Sequence, residues 1–110
     1  MQINMEEKAG VAVCRVKDDV DINSSPEVKK YFNQLVCDKK EKVLISFEGV
    51  NYMDSSGLAT LVEILKAMRS YGGKLKLCNL SDKIRGLFEI TKLDRLFDIS
   101  ATEMDALNLF

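Results

Sequence analysis

The stretch of residues 43–80 constrains the fold of this chain most strongly, because it reads as strand, helix and strand in succession. Residues 43–47 form a short apolar run rich in β-forming side chains, which is typical of a buried strand. Residues 74–80 alternate with period two, the pattern of a second strand. Two such strands joined by a helix form a βαβ unit with a right-handed crossover. The sequence therefore predicts an α/β fold built on a parallel strand pair.

The helix between these strands is defined by an apolar stripe and by a glycine pair. The stripe recurs at i, i+3, i+4, i+7, i+10 and i+11, so it lies on a single helical face and ends in the aliphatic stem of an arginine. Its members are Leu58, Leu61, Val62, Leu65, Met68 and Arg69. Gly72 and Gly73 end the helix. The hydroxyls of Ser55 and Ser56 are therefore predicted to lie where the helix begins.

Length and composition predict one globular domain with no affinity for nucleic acid or membranes. The 110 residues are 46% hydrophobic and 30% charged, ordinary values for a domain with one modest core. Sixteen Lys and Arg against 17 Asp and Glu give a net charge of −1, so no broad basic face is present for direct nucleic-acid binding. The N-terminus lacks the features of a signal peptide, and no apolar run approaches the roughly 20 residues that span a bilayer. We expect a cytoplasmic monomer.

The absence of histidine and the spacing of the cysteines argue against catalysis. Without histidine the chain has no Ser-His-Asp or Cys-His arrangement and lacks the usual zinc ligands. Cys14, Cys37 and Cys78 form no C-x-x-C pair, and Cys14 and Cys78 fall within apolar strand patterns, as small buried hydrophobic residues do. We expect a non-enzymatic protein without metal or cofactor. A hydrolase that pairs Ser55 with Lys74 is the remaining catalytic alternative.

Two strands and a helix are predicted before the central unit. Residues 3–7 are consistent with an edge strand, and residues 11–16 form a firmer strand pattern. The residue before a proline avoids the helical region, so Ser25 is the expected N-cap of a helix that has Pro26 at its first position. That helix is predicted to run to about Asp38.

A helix, a short strand and a closing helix are predicted after the central unit. Ser81 is the expected cap of the first helix, and Gly86 within it indicates close packing, since a mid-helix glycine costs about 1 kcal/mol against alanine. Residues 96–99 form the last strand pattern. Residues 102–110 form a helix pattern with Thr102 as its cap. Its inward-facing residues are predicted to be Met104, Leu107 and Phe110.

The segment Asp54-Ser55-Ser56-Gly57 lies at the predicted start of the central helix. Asp and Ser are good capping residues and Gly57 eases a tight entry into the helix, so spacing alone favours a structural interpretation. The functional alternative is that free amides and the positive dipole of the helix N-terminus accommodate a phosphorylated serine, while Gly57 leaves its hydroxyl open. A phosphate would add about −1.5 to −2 charge beside Asp54.

Other chemistry in the loops is poorly supported. The segment around Gly57 contains neither G-x-x-x-x-G-K-[ST] nor G-x-G-x-x-G, so nucleotide binding is not indicated. Asp18, Asp19 and Asp21 are close in sequence, but clustered acidic residues in a loop are usually solvated. We do not expect a metal site there.

Residues 50–58, V-N-Y-M-D-S-S-G-L, followed by the amphipathic helix and G-G-K-L, resemble the anti-sigma factor antagonists, which are bacterial STAS-domain proteins. The likeness covers nearly the whole chain, from the two N-terminal strands to residues 93–97. It implies a single STAS-like domain over residues 1–110, with a mixed β-sheet and about four helices packed mainly on one face.

The resemblance also implies a function based on partner switching. In this family the unmodified antagonist binds an anti-sigma factor that is a serine kinase, and the sigma factor is released. The kinase, which supplies the ATP and Mg²⁺, phosphorylates the first serine of the motif, here Ser55, and a PP2C-type phosphatase reverses this. The implied partner-binding residues are Asp21, Asp54, Ser55, Ser56 and Gly57, with Ser56 and Gly57 as cap and clearance residues. The alternative is a STAS scaffold or sensing subunit without phosphoswitching.

Overall fold

A computed structural model describes residues 2–110, in which five strands form one sheet and helices cover both of its faces. The elements in chain order are β1 (Ile3–Lys8), β2 (Val11–Val16), α1 (Ser25–Cys37), β3 (Lys42–Ser46), α2 (Ser55–Arg69), β4 (Lys74–Cys78), α3 (Asp82–Ile90), a 3₁₀ turn (Leu93–Arg95), β5 (Asp98–Ser100) and α4 (Glu103–Asn108).

The sheet is mixed, with its strands in the spatial order β1-β2-β3-β4-β5. β1 pairs antiparallel with β2 through a tight turn at Ala9 and Gly10, whose φ angles of 52° and 78° lie in the left-handed region that such hairpin turns require. β2 to β5 are mutually parallel. The predicted strand, helix and strand of residues 43–80 are confirmed as β3, α2 and β4.

The larger core lies between the sheet and helices α1, α2 and α3. Alternation along β2 sends Ala12, Cys14 and Val16 into this core, because successive strand residues point to opposite faces. The buried residues of the three helices include Phe32, Leu61 and Phe88. Three of the four helices therefore pack on one face, as the family resemblance implies.

The opposite face carries a smaller core, which α4 covers. Ala106 of α4 is fully buried against strand residues that point to this face, namely Val11, Val13, Leu44 and Cys78. A bidentate ion pair secures the helix: the Arg15 guanidinium of β2 donates to both carboxylate oxygens of Glu103, at 2.8 and 2.9 Å. The C-terminal segment is thus attached by the buried Ala106, by the partly buried Leu107 and Phe110, and by one part-buried ion pair.

The structure corrects two predictions about the helices after the central unit. A Cβ on Gly86 would meet nothing within 4 Å, so this glycine does not mark close packing. Met104 is 72% exposed, because the short α4 presents Ala106 rather than Met104 to the sheet. The last strand begins two residues later than predicted, because residues 93–95 form a 3₁₀ turn that delays it.

The start of α1 also differs from the prediction. The helix begins at Ser25 itself, with Ser24 before it and Pro26 at the second position. The Ser25 side chain is buried and its hydroxyl donates to the carbonyl of Asp21 at 2.6 Å. The turn before Ser25 already has helical backbone angles at Ser24, so the capping role belongs to Asp21, the residue that opens that turn.

None of the helices within residues 2–110 is both long and apolar enough to span a membrane.

Candidate functional site

The candidate site lies at the first turn of α2, where the chain leaves the carboxyl end of β3. Ser55 is the first residue of the helix and is exposed, as an accessible hydroxyl requires. Ser56 and Asp54 are half-buried and Gly57 is buried. In a sheet of parallel strands this edge is where binding sites usually form, because the loops at the carboxyl ends meet there.

Asp54 is the N-cap of α2 and also holds a second loop in place. Its Oδ1 accepts from the amides of Ser56 and Gly57, at 2.9 and 3.2 Å. Its Oδ2 accepts from the amide of Ile22, at 3.1 Å, in the loop between β2 and α1. The cap is therefore Asp54 and not Ser56, and two of the amides predicted to be free at this helix N-terminus are already paired.

Asp21 plays the same capping role for the turn that leads into α1. Its Oδ1 accepts from the amides of Asn23 and Ser24, at 2.9 and 3.1 Å, and Asp21 is half-buried. A carboxylate at the start of a helical turn pairs with amides that have no partner within the helix. Asp21 and Asp54 therefore order the two loops that surround Ser55.

The two loops are tied together by backbone hydrogen bonds. Val20 donates to the carbonyl of Tyr52 at 3.0 Å and accepts from the amide of Asp54 at 3.2 Å, so that Val20 and Met53 form an isolated parallel bridge. A Cβ on Gly57 would lie 2.9 Å from the Val20 carbonyl oxygen and 2.8 Å from Met53 Cγ. Gly57 therefore permits the close approach of the loops, rather than giving clearance to the serine as predicted.

All five residues predicted for the site thus meet in one place, and the structure adds a neighbour that the sequence analysis missed. Ile22 is 70% exposed although it is a large apolar residue, and its backbone is held by Asp54. It borders a groove of about 390 Å³ between α1 and α2, which Pro26 and Ser56 also line. An isoleucine between Asp21 and Asn23, in a loop rich in acidic residues, is the sequence signal that indicates this exposed apolar side chain.

The topology separates Ser55 from the lysine of the hydrolase alternative. Lys74 opens β4 and pairs with Lys42 at the amino end of β3, whereas Ser55 follows the carboxyl end of β3. A five-residue strand is about 16 Å long, so the two side chains lie at opposite ends of the parallel strands. Across residues 2–110, no cluster of three or more His, Cys, Asp or Glu side chains is arranged to hold a metal ion.

A family model and a curated relative identify the family of this chain. The family model of the STAS domain matches residues 2–106. The chain is 35% identical over 103 residues to the anti-sigma-B factor antagonist of Bacillus subtilis (strain 168), an alignment that covers 92% of this chain and 94% of the relative.

Solved structures share the fold. An anti-sigma factor antagonist from Mycobacterium paratuberculosis superposes with a TM-score of 0.90 at 23% identity, covering 98% of this chain and 92% of that chain. The Bacillus cell fate determinant SpoIIAA, solved in its phosphorylated form, gives a TM-score of 0.74 at 19% identity, covering 97% of each chain.

Proposed function

The chain belongs to the STAS domain family of anti-sigma factor antagonists, and on that premise we propose that phosphorylation of Ser55 controls which partner it binds. In the unmodified state it binds an anti-sigma factor that is a serine kinase, and a sigma factor is released for transcription. The kinase transfers the terminal phosphoryl group of ATP to the Ser55 hydroxyl, and a PP2C-type phosphatase hydrolyses the phosphoserine.

The observation that carries this proposal is the exposed Ser55 on a surface of fixed geometry. The side chain stands on the first turn of a helix, and both flanking loops are held by carboxylate caps and by backbone hydrogen bonds. A kinase needs a reachable hydroxyl, and a binding partner needs a surface that is already ordered. The candidate site meets both requirements.

The pairing at the helix N-terminus explains how a phosphate would act. Because Asp54 already accepts from the amides of Ser56 and Gly57, a phosphate on Ser55 competes with a carboxylate for those donors. Its charge of about −1.5 to −2 therefore remains directed at the partner, next to the charges of Asp54 and Asp21. Like-charge contact and desolvation of about 2 to 4 kcal/mol would weaken association roughly 30- to 1,000-fold. That range is sufficient for a switch.

The remaining roles follow from the same surface. Asp21, Asp54, Ser56 and Gly57 contribute to partner binding, the two aspartates chiefly by ordering the loops. The whole chain, residues 1–110, acts as one STAS domain in the bacterial cytoplasm, as a monomer and without catalytic activity of its own. Failure of a serine-directed fluorophosphonate probe to label the protein would support the absence of hydrolase chemistry.

Phosphorylation by the serine-kinase anti-sigma factor of the same bacterium tests the proposal. With that kinase and ATP, the wild-type chain should gain one phosphate, measured by intact-protein mass spectrometry. Ser55→Ala should gain none, whereas the matched variant Ser56→Ala should still gain one phosphate, because Ser55 is exposed and Ser56 is half-buried. A phosphate that appears undiminished on Ser55→Ala would remove Ser55 from the mechanism.

A further inference from the structure

A second groove lies beside the candidate site, between the segment that precedes Asp54 and helix α3. This α3 groove has a volume of about 390 Å³, and its apolar lining comes from Tyr52 and Met53 on one side and from Leu87 and Ile90 on the other. Gly86 of α3 also lines the groove. Tyr52 and Met53 directly precede Asp54, so the groove continues the surface that carries Ser55.

Gly86 is a glycine that the fold itself does not require. It lies in the middle of α3, where glycine destabilises a helix relative to alanine. At Gly57 a side chain would collide with Val20 and Met53, which explains why that position is a glycine. At Gly86, by contrast, a Cβ would meet nothing within 4 Å. The space above Gly86 is therefore open to a group from outside the chain.

The walls of the α3 groove have the character of a binding surface. Ile90 is 82% exposed and Tyr52 is 42% exposed, although both are large apolar side chains. Lys83 places its ammonium group 5.5 Å from the centre of the Tyr52 ring, a cation–π contact that holds the ring at the rim. Exposed apolar side chains grouped around a cleft are typical of protein interaction sites.

We propose that the α3 groove receives an aliphatic side chain of the anti-sigma serine kinase when the kinase docks at Ser55. This inference rests on the proposed function, since it extends the same interface. Tyr52 lies three residues before Ser55 and lines the α3 groove, so a kinase that docks at Ser55 is also close to the groove. The groove therefore adds an apolar contact on the α3 side to a surface that already carries Asp54, Ser55 and the exposed Ile22.

Filling the groove tests the inference without removing any residue near Ser55. Gly86→Leu places a side chain in the groove and improves the helix, so it should leave Tm unchanged or raise it by about 3 to 6 °C. Its affinity for the kinase should fall at least about tenfold, measured by calorimetry with the unphosphorylated chain. Glu89→Leu is the matched control, because Glu89 is an exposed residue of the same helix that does not line the groove. It should bind within about twofold of the wild type.

The outcomes separate this inference from the function on which it rests. No binding by the wild-type chain would overturn both. Wild-type binding that is unchanged in Gly86→Leu, or weakened equally in Glu89→Leu, would overturn the groove alone. Sedimentation of the wild type as a dimer and of Gly86→Leu as a monomer would assign the groove to a second copy of this chain and overturn its assignment to the kinase.

Discussion

Gly57→Ala should destabilise the protein, although alanine is the better helix former. The added methyl group would lie 2.9 Å from the Val20 carbonyl oxygen and 2.8 Å from Met53 Cγ, both closer than real Cβ contacts. Met53 can move its side chain, but the Val20 carbonyl is backbone and accepts a hydrogen bond from Asp54. Relief of the clash therefore requires the loop before α1 to move away from α2.

The expected cost can be worked from these contacts. Overpacking costs about 1 to 3 kcal/mol, and the weakened Val20 to Asp54 hydrogen bond about 0.5 to 1.5 kcal/mol. Against this, alanine returns up to about 1 kcal/mol of helix propensity. The net loss in the free energy of unfolding should be about 0.5 to 4.5 kcal/mol, which urea denaturation resolves as a lower midpoint.

A second glycine of this chain supplies the control. Gly86 is also helical, but a Cβ there has open space around it, so Gly86→Ala should stabilise the protein by about 0.5 to 1 kcal/mol. The two substitutions make the same chemical change and should move the urea midpoint in opposite directions. Equal stabilisation by both would refute the claim that Gly57 is required for the approach of the two loops.

Two further predictions concern the ion pair of α4 and the cysteines. Hydrogen bonds from Arg15 hold the pKa of Glu103 below its ordinary value of 4.5, so the pair stabilises the fold above that pH and the stabilisation is lost as the pH falls through the lower folded-state pKa. Glu103→Gln should therefore lower stability by about 1 kcal/mol near neutral pH, and its urea midpoint should approach that of the wild type below about pH 4.5; a gap that persists in acid would contradict this. Burial raises the pKa of Cys14 to about 12 and of Cys78 to about 11, whereas Cys37 is exposed, so a thiol reagent near pH 8 should label only Cys37 until the protein is unfolded. Rapid labelling of a second thiol in the folded protein would show that the strand cysteines are accessible.

The central part of the fold could be predicted because its periodicities are strong. The apolar stripe of α2, the glycine pair at 72–73 and the alternation in β4 each indicate one local structure, and all agree on a βαβ unit. The ends of the shorter helices and strands are less predictable from the sequence. Residues 96–99 have the composition of a strand, but the 3₁₀ turn before them displaces β5, and no local pattern reports that shift. Met104 is exposed because α4 is too short to bury a full stripe.

At the candidate site the sequence indicated the residues but not how they act on one another. The motif at 54–57 placed Ser55 at a helix start, and that follows from local chemistry alone. The roles of Asp54 and Gly57 depend on a loop more than 30 residues earlier in the chain. The Asp54 carboxylate accepts a hydrogen bond from the amide of Ile22, and Val20 leaves no space for a side chain at Gly57. Such tertiary contacts leave no periodic signal, so the motif alone predicts neither the bond from Ile22 to Asp54 nor the contact of Val20 with Gly57.

The affinity of the kinase for the unmodified and the Ser55-phosphorylated chain tests the central claim most directly. Calorimetry with the two forms, prepared from one batch and confirmed by mass spectrometry, isolates the effect of a single phosphate. We expect phosphorylation to weaken binding roughly 30- to 1,000-fold, with the difference reduced at high salt because it is electrostatic in origin. Equal affinities of the two forms would contradict the claim that charge on Ser55 controls which partner the protein binds.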